Sequence, residues 1–159
     1  MRPLKPVRNR SAQPSRQGTW RSAVAPGVIL LAAFALRLLR LGDANLWWDE
    51  ALAVWAVRKG LAGATLWTAG DVHPPLFFWS LWGWVQIMGE SEFALRALSV
   101  LFGVLTVAVV YRLGCLASGR TVGLFAATLT ATARFHVWWS QELRMYALAG
   151  LRPPNVRSE

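Results

Sequence analysis

Long apolar stretches alternate with short polar breaks along most of the chain. Residues 23–41 form the first stretch. As a helix they reach about 28 Å, close to the roughly 30 Å hydrocarbon core of a bilayer. Residues 74–89 form a second, which is short for a span and either crosses thinly or lies partly in the interface. Residues 95–116, rich in Leu and Val, form a third, in which Gly103 and Gly114 permit close helix contact. Ser118-Gly119-Arg120 makes a break, and residues 121–139 form a fourth stretch ending on Trp138-Trp139. A fifth begins at Met145, but Arg152-Pro153-Pro154 stops it well short of the roughly 20 residues a span needs. The pattern predicts an all-α chain, an integral membrane helical bundle.

Residues 42–73, between the first two stretches, break this rhythm. Asp43, Asp49, Glu50 and Asp71 lie there with Arg58 and Lys59. From Asp49 to Lys59 the spacing of Leu52, Trp55 and Ala56 is helical, which predicts a short helix on the membrane surface. Trp47, Trp48, Trp55 and Trp67 suit the interfacial aromatic belt, and anchoring explains most of them. Further along, Ser91 is placed to cap a helix that starts at Glu92, without a capping box because Ala94 stands three residues on.

Charge sharpens the picture. Only 16% of residues are charged, against about 25% in an ordinary soluble domain. The net charge is +9, and Arg2, Lys5, Arg8, Arg10, Arg16 and Arg21 precede the first apolar stretch with no acid among them. With Pro3, Pro6 and Pro14 in the same segment, residues 1–21 read as a disordered basic tail. Beside a hydrophobic span such a tail is expected to stay cytoplasmic and touch anionic lipid. Nucleic-acid binding is the other use of a basic arm, but no soluble recognition module follows, so no nucleic-acid partner is expected. The first loop then emerges outside. Which side carries residues 90–96 depends on whether residues 74–89 cross. Arg37 and Arg40 fall in the last turns of the first stretch, either snorkelling to the interface or holding a lipid headgroup. The single cysteine, Cys115, excludes an internal disulfide and any CxxC metal site.

The chemistry-bearing residues gather in the first loop, as Trp47-Trp48-Asp49-Glu50 and His73-Pro74-Pro75. A carboxylate can take the proton of a hydroxyl that attacks a sugar carbon. An imidazole can contact a phosphate leaving group or a metal. The same residues also have plainer uses. An acid pair at a helix start is favourable with the helix dipole, and a histidine before two prolines can be structural.

Four motifs in order resemble glycosyltransferase family 39, the bacterial relatives of protein O-mannosyltransferases and of the lipid A aminoarabinose transferases. They are Leu36-Arg37 and Leu41-Gly42 ahead of Trp48-Asp49-Glu50; Asp71-Val72-His73-Pro74-Pro75-Leu76; Gly89-Glu90-Ser91-Glu92-Phe93-Ala94-Leu95-Arg96; and the run from Phe135 through Gln141-Glu142-Leu143-Arg144-Met145-Tyr146 to Leu148. The resemblance spans roughly residues 30–148. It implies the GT-C architecture, with the active site on the outer face under the first external loop. It implies transfer of a sugar, often mannose, from a polyprenyl-phosphate donor with inversion. By the same resemblance Asp49 is the catalytic base, Glu50 its companion and His73 a contact near the donor phosphate. Arg37, Arg96, Glu142, Arg144 and Tyr146 are expected substrate-binding residues. Some relatives use a divalent cation, so that cofactor stays open, as does the oligomeric state. The expected setting is a multi-pass cell-membrane protein with residues 22–148 as its transmembrane region. Residues 150–159 leave the family pattern, and full members are far longer. The chain therefore reads as an amino-terminal fragment whose last residues, 149–159, resemble a frameshift or a gene-fragment end. The alternative is an inactive remnant, or a non-catalytic membrane-binding or partner subunit.

Overall fold

A computed structural model describes residues 17–39, 41–43, 45–70 and 75–143. The described residues form helices and no strand: α1 (Gln17–Leu38), α2 (Trp48–Arg58), α3 (Gly60–Ala69), α4 (Pro75–Met88), α5 (Glu92–Ser118), α6 (Arg120–Thr132) and α7 (Arg134–Gln141). The all-α expectation holds for them. α5 is 27 residues long, about 40 Å of helix, and is the one described helix long and apolar enough to cross a membrane. The apolar part of α1, Ala23–Leu38, is shorter. α1 itself begins at Gln17, inside the segment read from sequence as tail.

The helices form two packed groups. α5 and α6 make a hairpin, and α1 lies against both. Their shared interior is small: Ala33, Val107, Ala127 and Ala131, flanked by Ile29, Leu30 and Tyr111. Small side chains let the backbones approach. A Cβ added at Gly114 would lie 2.7 Å from the Cα of Gly123, and one at Gly123 would lie 2.7 Å from the carbonyl of Tyr111. The close contact expected at Gly114 is thus made with α6, and Gly103 faces Ser140 and Arg37.

The second group stacks α2, α3 and α4 over the first turns of α5. Its core joins Ala53, Val54, Ala56 and Val57 of α2 to Phe77, Phe78 and Leu81 of α4, with Leu95 and Leu98 of α5. The helix expected from Asp49 to Lys59 is α2. α3 was not singled out from the sequence. Its hold is tertiary: Ala64 is fully buried, and Trp67 meets Phe78 edge to face at 5.3 Å. Gly60, at φ 79°, makes the turn from α2 into α3, a backbone state only glycine adopts without strain.

The fourth apolar stretch is broken rather than continuous. Ala133 is extended, at φ −58° and ψ 114°, and separates α6 from α7. Thr128, Thr130 and Thr132 donate their hydroxyls back to the carbonyls of Leu124, Ala126 and Thr128, a habit that bends helices. Arg37 meanwhile draws off the carbonyls of Thr130 and Ala131.

Residues 75–88 do not carry the chain to the opposite end of the bundle. After α4 the chain turns at Gly89 (φ 78°), and Ser91 caps α5 as expected, accepting from the Ala94 amide at 3.2 Å. Trp84 Nε1 donates to the Ala94 carbonyl at 2.7 Å. Arg58 at the end of α2 pairs with Glu90 at 3.0 Å, and Arg96 bonds the Leu41 carbonyl at 3.1 Å. The start of α5 therefore shares an end with the segment after α1, and the α5–α6 turn occupies the other end. Among the described residues every acid, Asp43, Asp49, Glu50, Glu90, Glu92 and Glu142, belongs to the first end, while the far end carries Arg112 and Arg120.

The glycine contact gives a direct test of the hairpin. Gly123→Leu forces α5 and α6 apart and is expected to cost on the order of 1–3 kcal/mol, read as a lowered unfolding midpoint in detergent. An unchanged midpoint contradicts the close crossing.

Candidate active site

The site end is built from the start of α2. Trp47 is extended, and α2 begins at Trp48. Glu50 lies in the first turn and reaches back to accept from the Trp47 amide at 3.1 Å, satisfying a donor ahead of the helix. That turn buries Glu50, which is 1% exposed.

A buried carboxylate needs partners, and Glu50 has a full set. Oε1 accepts from Arg96 Nε at 3.1 Å and from the Leu143 amide at 2.8 Å. Oε2 accepts from Arg96 Nη2 at 2.7 Å in addition to Trp47. Arg96 spends its other donors on the carbonyls of Leu41, at 3.1 Å, and Asn45, at 3.2 Å. The two-point fork suits guanidinium and carboxylate geometry. Burial alone would raise the Glu50 pKa. The hydrogen bond from Arg96, those from Leu143 and Trp47, and the Arg96 charge outweigh burial and hold it below the usual carboxylate range. This one pair ties together the segment after α1, the start of α2, the start of α5 and Leu143, the second residue past α7. The charges of Glu92 and Glu142 also act on Arg96.

Asp49 adjoins this knot but is exposed. Trp48 is 82% exposed beside it. A groove of about 370 Å³ runs along the outer face of α2 between Trp48, Ala51, Leu52 and Trp55. Lys59 Nζ lies 3.5 Å above the Trp55 ring. Asp49 is thus exposed next to Trp48, which lines the groove, while the neighbouring acid is locked inward.

Arg37 forms a second buried centre. It has no exposed surface. Nη1 donates to the carbonyls of Ala33 and Ala131, at 2.9 and 3.2 Å, and Nη2 to that of Thr130 at 3.4 Å. Nη2 also meets His136 Nδ1 at 2.7 Å. The guanidinium points into the bundle, so in this arrangement it reaches neither the lipid surface nor a headgroup. Gln141 Nε2 caps the end of α1, donating to the carbonyls of Arg37 at 3.1 Å and Leu39 at 2.9 Å.

The structure thus brings Asp49, Glu50, Arg96 and the half-buried Glu142 to one end, with Arg37 packed beneath them. His73, Arg144 and Tyr146 lie outside the described residues. Among the described residues no three His, Cys, Asp or Glu side chains gather to hold a metal ion. His136, Ser140 and Gln141 were not singled out from sequence, although they stand in the last family motif. The Leu143 contact is a backbone amide and leaves no sequence signal.

The described residues are thus helical, with one span-length helix and the Asp49-Glu50 pair at one end of the bundle. Residues 72–148 match the family described as dolichyl-phosphate-mannose-protein mannosyltransferase. The resemblance to family 39 is thereby shown over that stretch. No curated protein and no solved structure matches the chain.

Two outcomes follow from the buried pair. Arg96→Gln strands the Glu50 carboxylate and is expected to destabilise the fold by about 3–5 kcal/mol, measured by denaturant or thermal unfolding in detergent. Because the folded pKa of Glu50 is depressed, its stabilisation is complete above the unfolded value of about 4.3 and is lost as pH falls through the lower folded value. The stability gap between the native chain and Glu50→Gln is expected to be level from pH 7 to about 5 and to close in more acid solution. A gap that widens on acidification contradicts the assignment.

Proposed function

We propose that the chain carries the base-bearing end of a membrane glycosyltransferase of the mannosyltransferase kind, acting on a polyprenyl-phosphate sugar and an external hydroxyl acceptor. One observation supports the reading above the others. Within the first turn of α2 one acid is locked by four donors while its neighbour is left exposed beside an apolar groove. Adjacent carboxylates given such different surroundings take different roles.

In this reading Asp49 is the general base. The acceptor oxygen attacks the anomeric carbon of the sugar and passes its proton to the Asp49 carboxylate. The bond from that carbon to the phosphate oxygen breaks, and the polyprenyl phosphate leaves with the bonding electrons, giving inversion. Glu50 stays ionised and does not move a proton. Together with Arg96 it fixes the angle at which α2 presents Asp49. The groove along Trp48, Leu52 and Trp55 seats apolar parts of the substrates and excludes water. His73, Arg144 and Tyr146 are proposed donor contacts on the strength of the family pattern. A divalent cation is left out of the steps.

The bundle is proposed to sit with the acid-bearing end outside and the Arg112 and Arg120 end with the basic tail in the cytoplasm, following the excess of cations on inner loops.

Asp49→Asn separates the two acids. In membranes containing the chain and a labelled polyprenyl-phosphate sugar, it is expected to lower transfer by at least a hundredfold, within the range that general-base catalysis supplies. Unfolding is expected to be unchanged. Retained transfer removes Asp49 from the role, and absence of transfer by the native chain removes the enzymatic reading.

A further inference from the structure

A second groove lies at the same end of the bundle, between the last turn of α1 and α7. It holds about 480 Å³ and is lined by Leu36, Thr132, Arg134, Val137, Trp138 and Gln141. Its floor is apolar and its rim carries one cation. Leu36 and Trp138 are 37% and 59% exposed, and neighbouring Phe135 is 72% exposed. Arg134 is exposed, and among the described residues no carboxylate pairs with it.

We propose that this groove seats an anionic phospholipid of the surrounding leaflet, its phosphate on Arg134 and the upper part of one acyl chain along Leu36, Val137 and Trp138. The polarity of the lining selects the occupant. A long apolar floor open to the side accepts a chain, and a lone guanidinium at its rim complements a singly charged phosphodiester. The other polar groups are committed. Gln141 Nε2 serves the carbonyls of Arg37 and Leu39, and the Thr132 hydroxyl serves that of Thr128. A site selective for one phosphate ester would bring several donors to it, whereas this one offers a single cation. That favours a bulk anionic lipid over a specific lipid-linked substrate. The aromatic residues fit the same placement. Trp138 and Trp139 are stacked with centroids 6.5 Å apart, and Phe135 meets Trp139 at 5.6 Å, an aromatic cluster of the kind found at headgroup depth.

The test uses the whole chain in lipid nanodiscs with bromine on the upper acyl chain, either of phosphatidylglycerol or of phosphatidylcholine at equal mole fraction. The fluorescence of Trp138 is taken as the difference between the native chain and Trp138→Phe. Quenching of Trp138 is expected to show about fivefold enrichment of phosphatidylglycerol over phosphatidylcholine, the equivalent of about 1 kcal/mol for one cation near an anionic surface. Arg134→Gln is expected to abolish the preference and Arg134→Lys to retain it. Equal quenching by the two lipids overturns the proposal, as does a preference that survives Arg134→Gln. Loss of the phosphatidylglycerol signal on adding one equivalent of polyprenyl phosphate assigns the groove to the carrier lipid instead and also overturns it.

Discussion

The arrangement of the site end depends on one ion pair. Glu50 and Arg96 are 46 residues apart in sequence, both are buried, and between them they engage Leu41, Asn45, Trp47 and Leu143. Two charges taken out of water are costly, and only complete hydrogen bonding offsets that cost. Here every oxygen of the carboxylate and both terminal nitrogens of the guanidinium are used. Such a pair adds little net stability over an apolar substitute, but it tolerates few alternative arrangements of the segments it joins.

That constraint decides the topology. A segment of 14 apolar residues between two polar breaks can be a thin span or a surface helix. Arg96 reaching back to Leu41 and Glu50 leaves the start of α5 at the same end as the start of α2, so α4 brings the chain back to that end of the bundle. Glycine at the α5–α6 crossing and Arg37 at the α6–α7 break then set the packing of α1, α5, α6 and α7. Among the described residues the acids collect at one end and Arg112 and Arg120 mark the other. The same pair gives two adjacent carboxylates different surroundings: Glu50 is turned inward and held, and Asp49 lies at the surface.

Much of this was legible in the residues. The Ser91 cap, the rhythm from Asp49 to Lys59 and the close-contact glycines all follow from local rules, and the structure carries each of them, while of the apolar stretches the fourth is broken in two. The family match covers residues 72–148 and carries no geometry. What escaped was long-range. Nothing near Glu50 announces that its partner is Arg96, because the pairing is made by the fold. α3 is held by Ala64 and Trp67 against α4, which no local propensity records. The break at Ala133 arises from three threonines bonding backwards and from an arginine on another helix, and neither changes the apolar profile of the stretch. Arg37 looked like an interfacial side chain because hydropathy counts its charge without seeing the carbonyls waiting for it.

The most direct measurement is the accessibility of single cysteines in the whole chain in sealed vesicles, with Cys115 replaced by alanine. Cysteine is placed in turn at Asp43, Glu90 and Ser118 and exposed to a membrane-impermeant maleimide from one side. The account predicts that positions 43 and 90 react together from one side and that position 118 reacts from the other. Reaction of positions 43 and 90 from opposite sides would contradict it, because α4 would then cross and Arg96 could not reach Glu50.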